Sequence, residues 1–191
     1  MASLLAFDTS APELAVALLA GEKLDATAEP RARGQGEALI PLCEALMARH
    51  GLGWGDLQGI GVGIGPGNFT GIRIAVSAAR GLALGCGIPA IGVSRFETTQ
   101  KLDPGMDRYT VPAVRDQVYV AEAGAFDQPK IVTSVEGRAG NAAQFDGVAH
   151  IRALAEIAAQ RLGQAHAPPR PLYVKPADAA PPRDSPPVLI D

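Results

Sequence analysis

Between residues 59 and 67 glycine takes every second position: Gly59, Gly61, Gly63, Gly65 and Gly67, with Ile60, Val62 and Ile64 between the first four. Alternate side chains of a strand point to opposite faces. The segment therefore predicts a strand with one face of bare backbone and one of β-branched side chains. A bare face packs nothing by itself and costs folding entropy, so another element must come close to it. The following segment, Thr70–Cys86, reads as a helix of small residues, among them Gly71, Ala75, Ser77, Ala79, Gly81, Ala83 and Gly85. Ile72, Val76, Ala79 and Ala83 share one stripe of it. This helix is the element expected to approach, and it needs tight packing against the sheet, another helix or a partner chain. Ile88–Val93 predicts the next strand, parallel to the first through a right-handed crossover.

Upstream, Leu4–Phe7, Leu14–Ala20 and Lys23–Ala28 are short apolar runs split by turn residues, which predicts an antiparallel meander of three strands. In residues 37–49 the period changes: Leu39, Leu42, Cys43 and Leu46 recur at helical spacing. Proline is tolerated near a helix start, so Pro41 places that start near residues 38–40. The first half is thus a mixed sheet with helices. Beyond residue 98 come a polar loop at Lys101–Arg108, strands at Tyr109–Val114, Gln117–Glu122 and Lys130–Val135, and an amphipathic helix carrying Ile151, Leu154, Ile157, Ala158 and Leu162. The last 24 residues hold eight of the 16 prolines, so this tail is expected to be extended, with Leu172–Lys175 its one candidate strand. The expected division is a first unit at 1–98, a smaller α/β unit at 99–167 and a proline-rich segment at 168–191.

Composition narrows the classes of function. With 191 residues, 47% of them hydrophobic, and a net charge of −3, the chain can bury a core and has no cationic excess for neutralising many phosphates. No apolar run reaches the roughly 20 residues of a membrane span, and the N-terminus lacks the pattern of a secretory signal. Cys43 and Cys86 stand in apolar contexts and are expected to be reduced and buried, in a cytoplasmic protein.

Few constellations could carry chemistry. His50, His150 and His166 include no pair one helical turn apart, and there is no nucleophile elbow. Cys86, at a predicted helix end, is poorly placed for a thiolate. Asp8-Thr9-Ser10, at a strand end, has two readings: a site for hydrated magnesium or phosphate oxygens, or a turn held by its own side chains. It is also the aspartic-protease tripeptide, but the helices and βαβ order argue against that architecture. Gly65-Pro66-Gly67-Asn68-Phe69-Thr70-Gly71 likewise suits an anion at a helix N-terminus or a structural turn capped by Asn68 or Thr70. The phosphate-loop and dinucleotide patterns are both absent. Arg73, near the start of this helix, is electrostatically misplaced unless it meets a carboxylate or another anion.

The string Gly-Pro-Gly-Asn-Phe-Thr-Gly-Ile-Arg (65–73), with Gly81-Leu82-Ala83, Ile88-Pro89-Ala90-Ile91-Gly92-Val93-Ser94 and Leu4–Ser10, resembles the TsaB (YeaZ) family. Gln117–Val120 and Pro171–Val174 resemble its second-domain strand and closing segment. The resemblance implies the actin/Hsp70/sugar-kinase-like (ASKHA) fold of two ribonuclease-H-like domains, the second reduced here. It implies a scaffold without catalytic residues, acting in threonylcarbamoylation of the adenosine beside the anticodon of tRNA. The implied partners are a catalytic TsaD-like paralog, which carries the metal, and a TsaE-like ATPase, with tRNA reached only through the complex. Older names for such sequences are glycoprotease or M22 peptidase homologue.

On that basis the helices at 38–49 and 70–86 are the expected pairing surface, with Leu39, Leu42, Leu46, Ile72, Arg73, Val76 and Arg80 as contacts. The sequence leaves two states open for the chain alone, a monomer or a homodimer paired through the same exposed helices. Asp8, Thr9, Ser10, Gly65, Gly67, Asn68 and Thr70 are the expected remnant of a nucleotide site, holding ATP and magnesium weakly or not at all. No cofactor and no metal are expected to be required. Three departures from the family stand out: Asn68 for Ser, Gln35 for His, and Pro112-Ala113-Val114 for Asp-Ala-Arg, with Arg115 the nearby cation. The rival reading is an active ATP-dependent phosphotransferase of the same fold, and a peptidase ranks below it.

Overall fold

The computed structural model describes residues 3–31, 33–165 and 167–174. Strands β1 (Ser3–Asp8), β2 (Glu13–Ala20) and β3 (Lys23–Pro30) form the expected meander, and β4 (Gly59–Gly63) and β5 (Ala90–Val93) add to it in parallel. The order is β3-β2-β1-β4-β5. Leu5 lies opposite both Leu18 and Ile60, so the apolar residues of three strands line up across the sheet. Helices α1 (Gln35–Arg49) and α2 (Phe69–Cys86) cover one face. There Leu39, Cys43, Leu46, Ile72, Ala75, Val76 and Ala79 pack on Phe7, Val16, Ile60 and Val62. Burial pushes the Cys43 thiol up to about 12, whereas Cys86 is only half-buried.

The bare face of β4 meets a different helix from the one expected. Helix α4 (Gly147–Gln160) crosses the far side of the sheet and packs on Leu4, Ala6, Ala15, Ala17, Ile91 and Val93. A Cβ at Gly61 would lie 2.9 Å from the Ala158 Cβ and 3.0 Å from Leu154 Cδ2, and one at Gly59 would lie 2.6 Å from Leu162 Cδ2. Small-residue α2 lies on the opposite face, against the β-branched side chains. The sequence neighbour of a strand need not cover its bare face, because the right-handed crossover and the side on which the next strand joins decide which face the connecting helix covers. Although α4 falls within residues 99–167, its main packing is on the first sheet.

Other elements differ from expectation too: the strand expected at Lys130–Val135 ends at Val132, and a strand at Gly140–Asn141 is unforeseen. Helix α1 starts at Gln35, so Pro41 sits inside it. Pro41 and Glu37 are both exposed, so the Glu37 carbonyl that proline leaves without a helical donor can bond to water. The loop expected at Lys101–Arg108 loses its first two residues to an unforeseen helix, α3 (Arg95–Leu102), opened by a capping box in which Ser94 and Glu97 exchange hydrogen bonds. Residues 172–174 form no strand, and Lys175 lies outside the described residues.

A second sheet has the order β8-β7-β6-β9: β6 (Arg108–Pro112), β7 (Val118–Glu122), β8 (Lys130–Val132) and β9 (Gly140–Asn141). The β6–β7 turn holds Arg115 and Asp116 in left-handed conformation (φ 59° and 55°), which suits the twist of a tight hairpin. Phe96, Tyr109, Val111, Ala121 and Ala142 form the core beneath this sheet. The residues predicted the first mixed sheet with its helices, and two such sheets, the second small, is the fold class that the resemblance implied.

Candidate functional site

The turn after β1 and the loop before α2 meet at one end of the first sheet. Asp8, Thr9 and Ser10 are all buried. The Asp8 carboxylate accepts from the Ser10 amide at 2.7 Å and pairs with the Arg95 guanidinium at 3.6 Å. A Cβ at Gly63 would sit 2.4 Å from that carboxyl group, so the last glycine of β4 makes room for Asp8. The Thr9 hydroxyl donates to the Gly71 carbonyl at 2.6 Å, and the Asn68 amide donates to the Ser10 carbonyl at 2.7 Å. Asn68, not Thr70, caps α2, its side-chain oxygen accepting from the Gly71 amide at 2.8 Å. Gln35, the departure on α1, donates to the carbonyls of Ala11 and Glu13.

These contacts test whether phosphate and magnesium fit. A Cβ at Gly71 would lie 1.8 Å from the Thr9 carbonyl oxygen, and one at Gly67 would lie 2.3 Å from that of Ser10. The glycines thus admit the chain's own backbone, and carbonyl oxygens, which repel phosphate, fill the space in front of them. Asp8 is already matched by Arg95. The residues do not fit the group. Structure brings Asp8, Thr9, Ser10, Gly67 and Asn68 together as the sequence suggested, but the turn reading describes what they do.

Behind Asp8 lies a partly polar interior that the sequence did not reveal. Arg95 donates its amide to the Gly65 carbonyl at 2.8 Å, Thr98 touches His150 Nδ1 at 2.8 Å, and His150 Nε2 reaches the Ala142 carbonyl at 3.0 Å. Burial, with Arg95 nearby, lowers the His150 pKa to about 4. The ring is therefore neutral near pH 7, donating from Nε2 and accepting from Thr98. The capping-box spacing Ser94-x-x-Glu97 was the available signal for this corner, because it marks the helix that presents Arg95 and Thr98. Among the described residues no three His, Cys, Asp or Glu side chains cluster in a way that could hold a metal ion.

The expected pairing surface divides in two. Leu39, Leu46, Ile72 and Val76 are buried in the core between the helices and the sheet, so they are not available to a partner. Their helical periodicity marked the inward face. Leu42 is half-buried, and Arg73 and Arg80 point outward. The outward stripe of α2 is Arg73, Ser77, Arg80 and Leu84, with Leu84 85% exposed. Gly81 and Gly85 have open space where a Cβ would go. By length and composition α2 could also cross a bilayer, but its stripe from Gly71 to Ala83 lies buried against the first sheet.

Fold and loop together define an ASKHA-like α/β protein whose glycine loop is closed on its own strand turn. A family profile described as TsaD, tRNA N6-adenosine threonylcarbamoyltransferase, matches residues 29–130, and the chain belongs to that family. Its curated relatives include the TsaB tRNA threonylcarbamoyladenosine biosynthesis proteins of Haemophilus influenzae (39% identical over 95 residues, 49% of this chain and 40% of that one) and Escherichia coli (36% identical over 95 residues, 50% and 41%). The matches thus span about two fifths of the length of these relatives. A solved structure of YeaZ from Pseudomonas aeruginosa superposes with a TM-score of 0.69 at 24% identity, covering 91% of this chain and all of that one, and shares the fold.

Proposed function

We propose that the chain is a non-catalytic scaffold in the threonylcarbamoylation of tRNA, pairing with a catalytic TsaD-like paralog and working with a TsaE-like ATPase in the cytoplasm. The relatives named TsaB support the pathway. The observation that carries the scaffold reading is the filled glycine loop: the chain's own Thr9 and Ser10 carbonyls occupy the space that Gly71 and Gly67 leave free. The chain's own residues supply a closed corner and an outward helix face in place of a reaction centre. On this reading α2 presents Arg73, Ser77, Arg80 and Leu84, and its Gly81 and Gly85 permit close approach of another helix. Pairing with a copy, when the chain is alone, would use the same face.

Size-exclusion chromatography with light scattering, on this chain mixed with a TsaD-like paralog, tests the reading. A complex is expected, lost in Leu84→Asp while the variant alone unfolds at the same urea concentration. Absence of a complex with the unsubstituted chain at micromolar concentration overturns it.

A further inference from the structure

Arg73 lies near the N-terminal, electropositive end of α2, where a cation is unfavourable without an anion. None of the ion pairs among the described residues includes it. Instead its guanidinium carbon sits 3.9 Å above the centroid of the Phe69 ring, and its Nε donates to the Tyr173 hydroxyl at 2.9 Å. The two rings pack together, centroids 5.1 Å apart. Tyr173 reaches this place because the closing segment is anchored just before it: Pro169 is buried, and the Leu172 amide donates to the Ile64 carbonyl at 2.9 Å. One ring thus supports the guanidinium plane and one hydroxyl holds its inner nitrogen. The terminal Nη1 and Nη2, the pair that binds carboxylate in a fork, make no hydrogen bond among the described residues.

We propose that Phe69, Arg73 and Tyr173 form a preorganised receptor for one carboxylate side chain of a partner protein docked along α2. Three features favour a carboxylate on a protein over a free anion. A single guanidinium is a weak trap for a mobile ion, because salt screens an exposed charge. The rings around it are about half exposed (45% for Phe69, 44% for Tyr173), so they offer apolar area that only a macromolecule would cover. Arginine and tyrosine held rigidly are also the residues that dominate protein interfaces, because little conformational entropy is left to lose on binding. The receptor combines α2 with the closing segment, residues one hundred positions apart.

The proposal rests on the pairing reading above, and titration of the TsaD-like paralog against four chains tests both. Those chains are the full-length protein, Arg73→Lys, Tyr173→Phe, and a form ending at Val174. Arg73→Lys keeps the charge and loses the fork, and Tyr173→Phe keeps the ring and loses the tether. Weakening by about tenfold and about threefold respectively is expected, with an unchanged salt dependence for Arg73→Lys, because the charge is kept, and unchanged affinity for the shortened chain. If both point variants bind as the full-length protein does, the receptor is overturned while the pairing reading stands. If shortening the chain tightens binding and abolishes the effect of Arg73→Lys, a carboxylate of the chain's own tail is the occupant and the proposal fails. If the full-length protein forms no complex, the pairing reading falls and takes the receptor with it.

Discussion

Gly71 and Gly81 lie ten positions apart on one helix and have opposite reasons to be glycine. A Cβ at Gly71 would enter the Thr9 carbonyl oxygen at 1.8 Å, whereas Gly81 has open space. Gly71→Ala is therefore expected to cost about 3 kcal/mol or more in urea unfolding. Gly81→Ala should raise the stability of the chain alone by up to about 1 kcal/mol through helix propensity. His150 is the second residue whose environment decides its behaviour, because burial holds its folded pKa at about 4 against 6.5 for the free side chain. Above pH 6.5 both folded and unfolded chains carry it neutral, so it adds no pH dependence. Between pH 6.5 and 4 the unfolded chain takes up the proton first, and stability is lost as the pH falls. A decline of about 3 kcal/mol over that window is expected, and His150→Gln should flatten it in urea titrations at stepped pH. The alternating glycines were legible in the sequence, as was a cap at Asn68 or Thr70, between which the Asn68 contact to the Gly71 amide decides. The buried contacts of His150 were not, because Thr98 and Ala142 reach it only through folding.

Among the elements, β4 and α4 depend on each other most directly. Gly61 exists for the close approach of Ala158 and Leu154, so Gly61→Ala should push α4 from the sheet. Ala158→Gly removes the methyl group that would collide. The double variant is expected to be more stable than the sum of the two single changes predicts, by about 1 kcal/mol in a double-mutant cycle of urea unfolding energies. Additivity within error would mean that α4 does not set the glycine requirement of β4. The periods of α1, α2 and α4 and the alternation of β4 were readable because burial on one face imposes them. The identity of the covering helix was not readable, since α2 and α4 are both rich in small residues and apolar on one stripe. The Ser94–Glu97 spacing carried the signal for α3, but Thr98, Thr99, Gln100 and Lys101 give that short helix little apolar periodicity.

At the scale of the molecule, the outward face of α2 and the closing segment make one continuous surface, running from Phe69 and Tyr173 at one end to Leu84 at the other. Charges placed inward and outward on α2 should behave differently. Val76→Asp puts a carboxylate into the core, where Val76 is 4% exposed, and is expected to lower stability by about 3 kcal/mol or more. Leu84→Asp should leave stability within about 0.5 kcal/mol, as expected for an exposed site, and act only on association. Thermal unfolding of the two variants alone, beside their elution with the paralog, separates a surface effect from a folding one.

Local chemistry was enough to establish the meander, the βαβ unit, the capped helix after the glycine loop and the family resemblance. Each of these depends on residues within one or two turns of each other, where side-chain period and backbone freedom act directly. Tertiary structure decided which face α4 covers, that backbone fills the glycine loop, that Leu39, Leu46, Ile72 and Val76 point inward, and that Tyr173 meets Arg73. Those outcomes join residues far apart in the chain. They follow from which apolar faces find each other in space, and the period of a helix marks an apolar stripe without naming what will cover it.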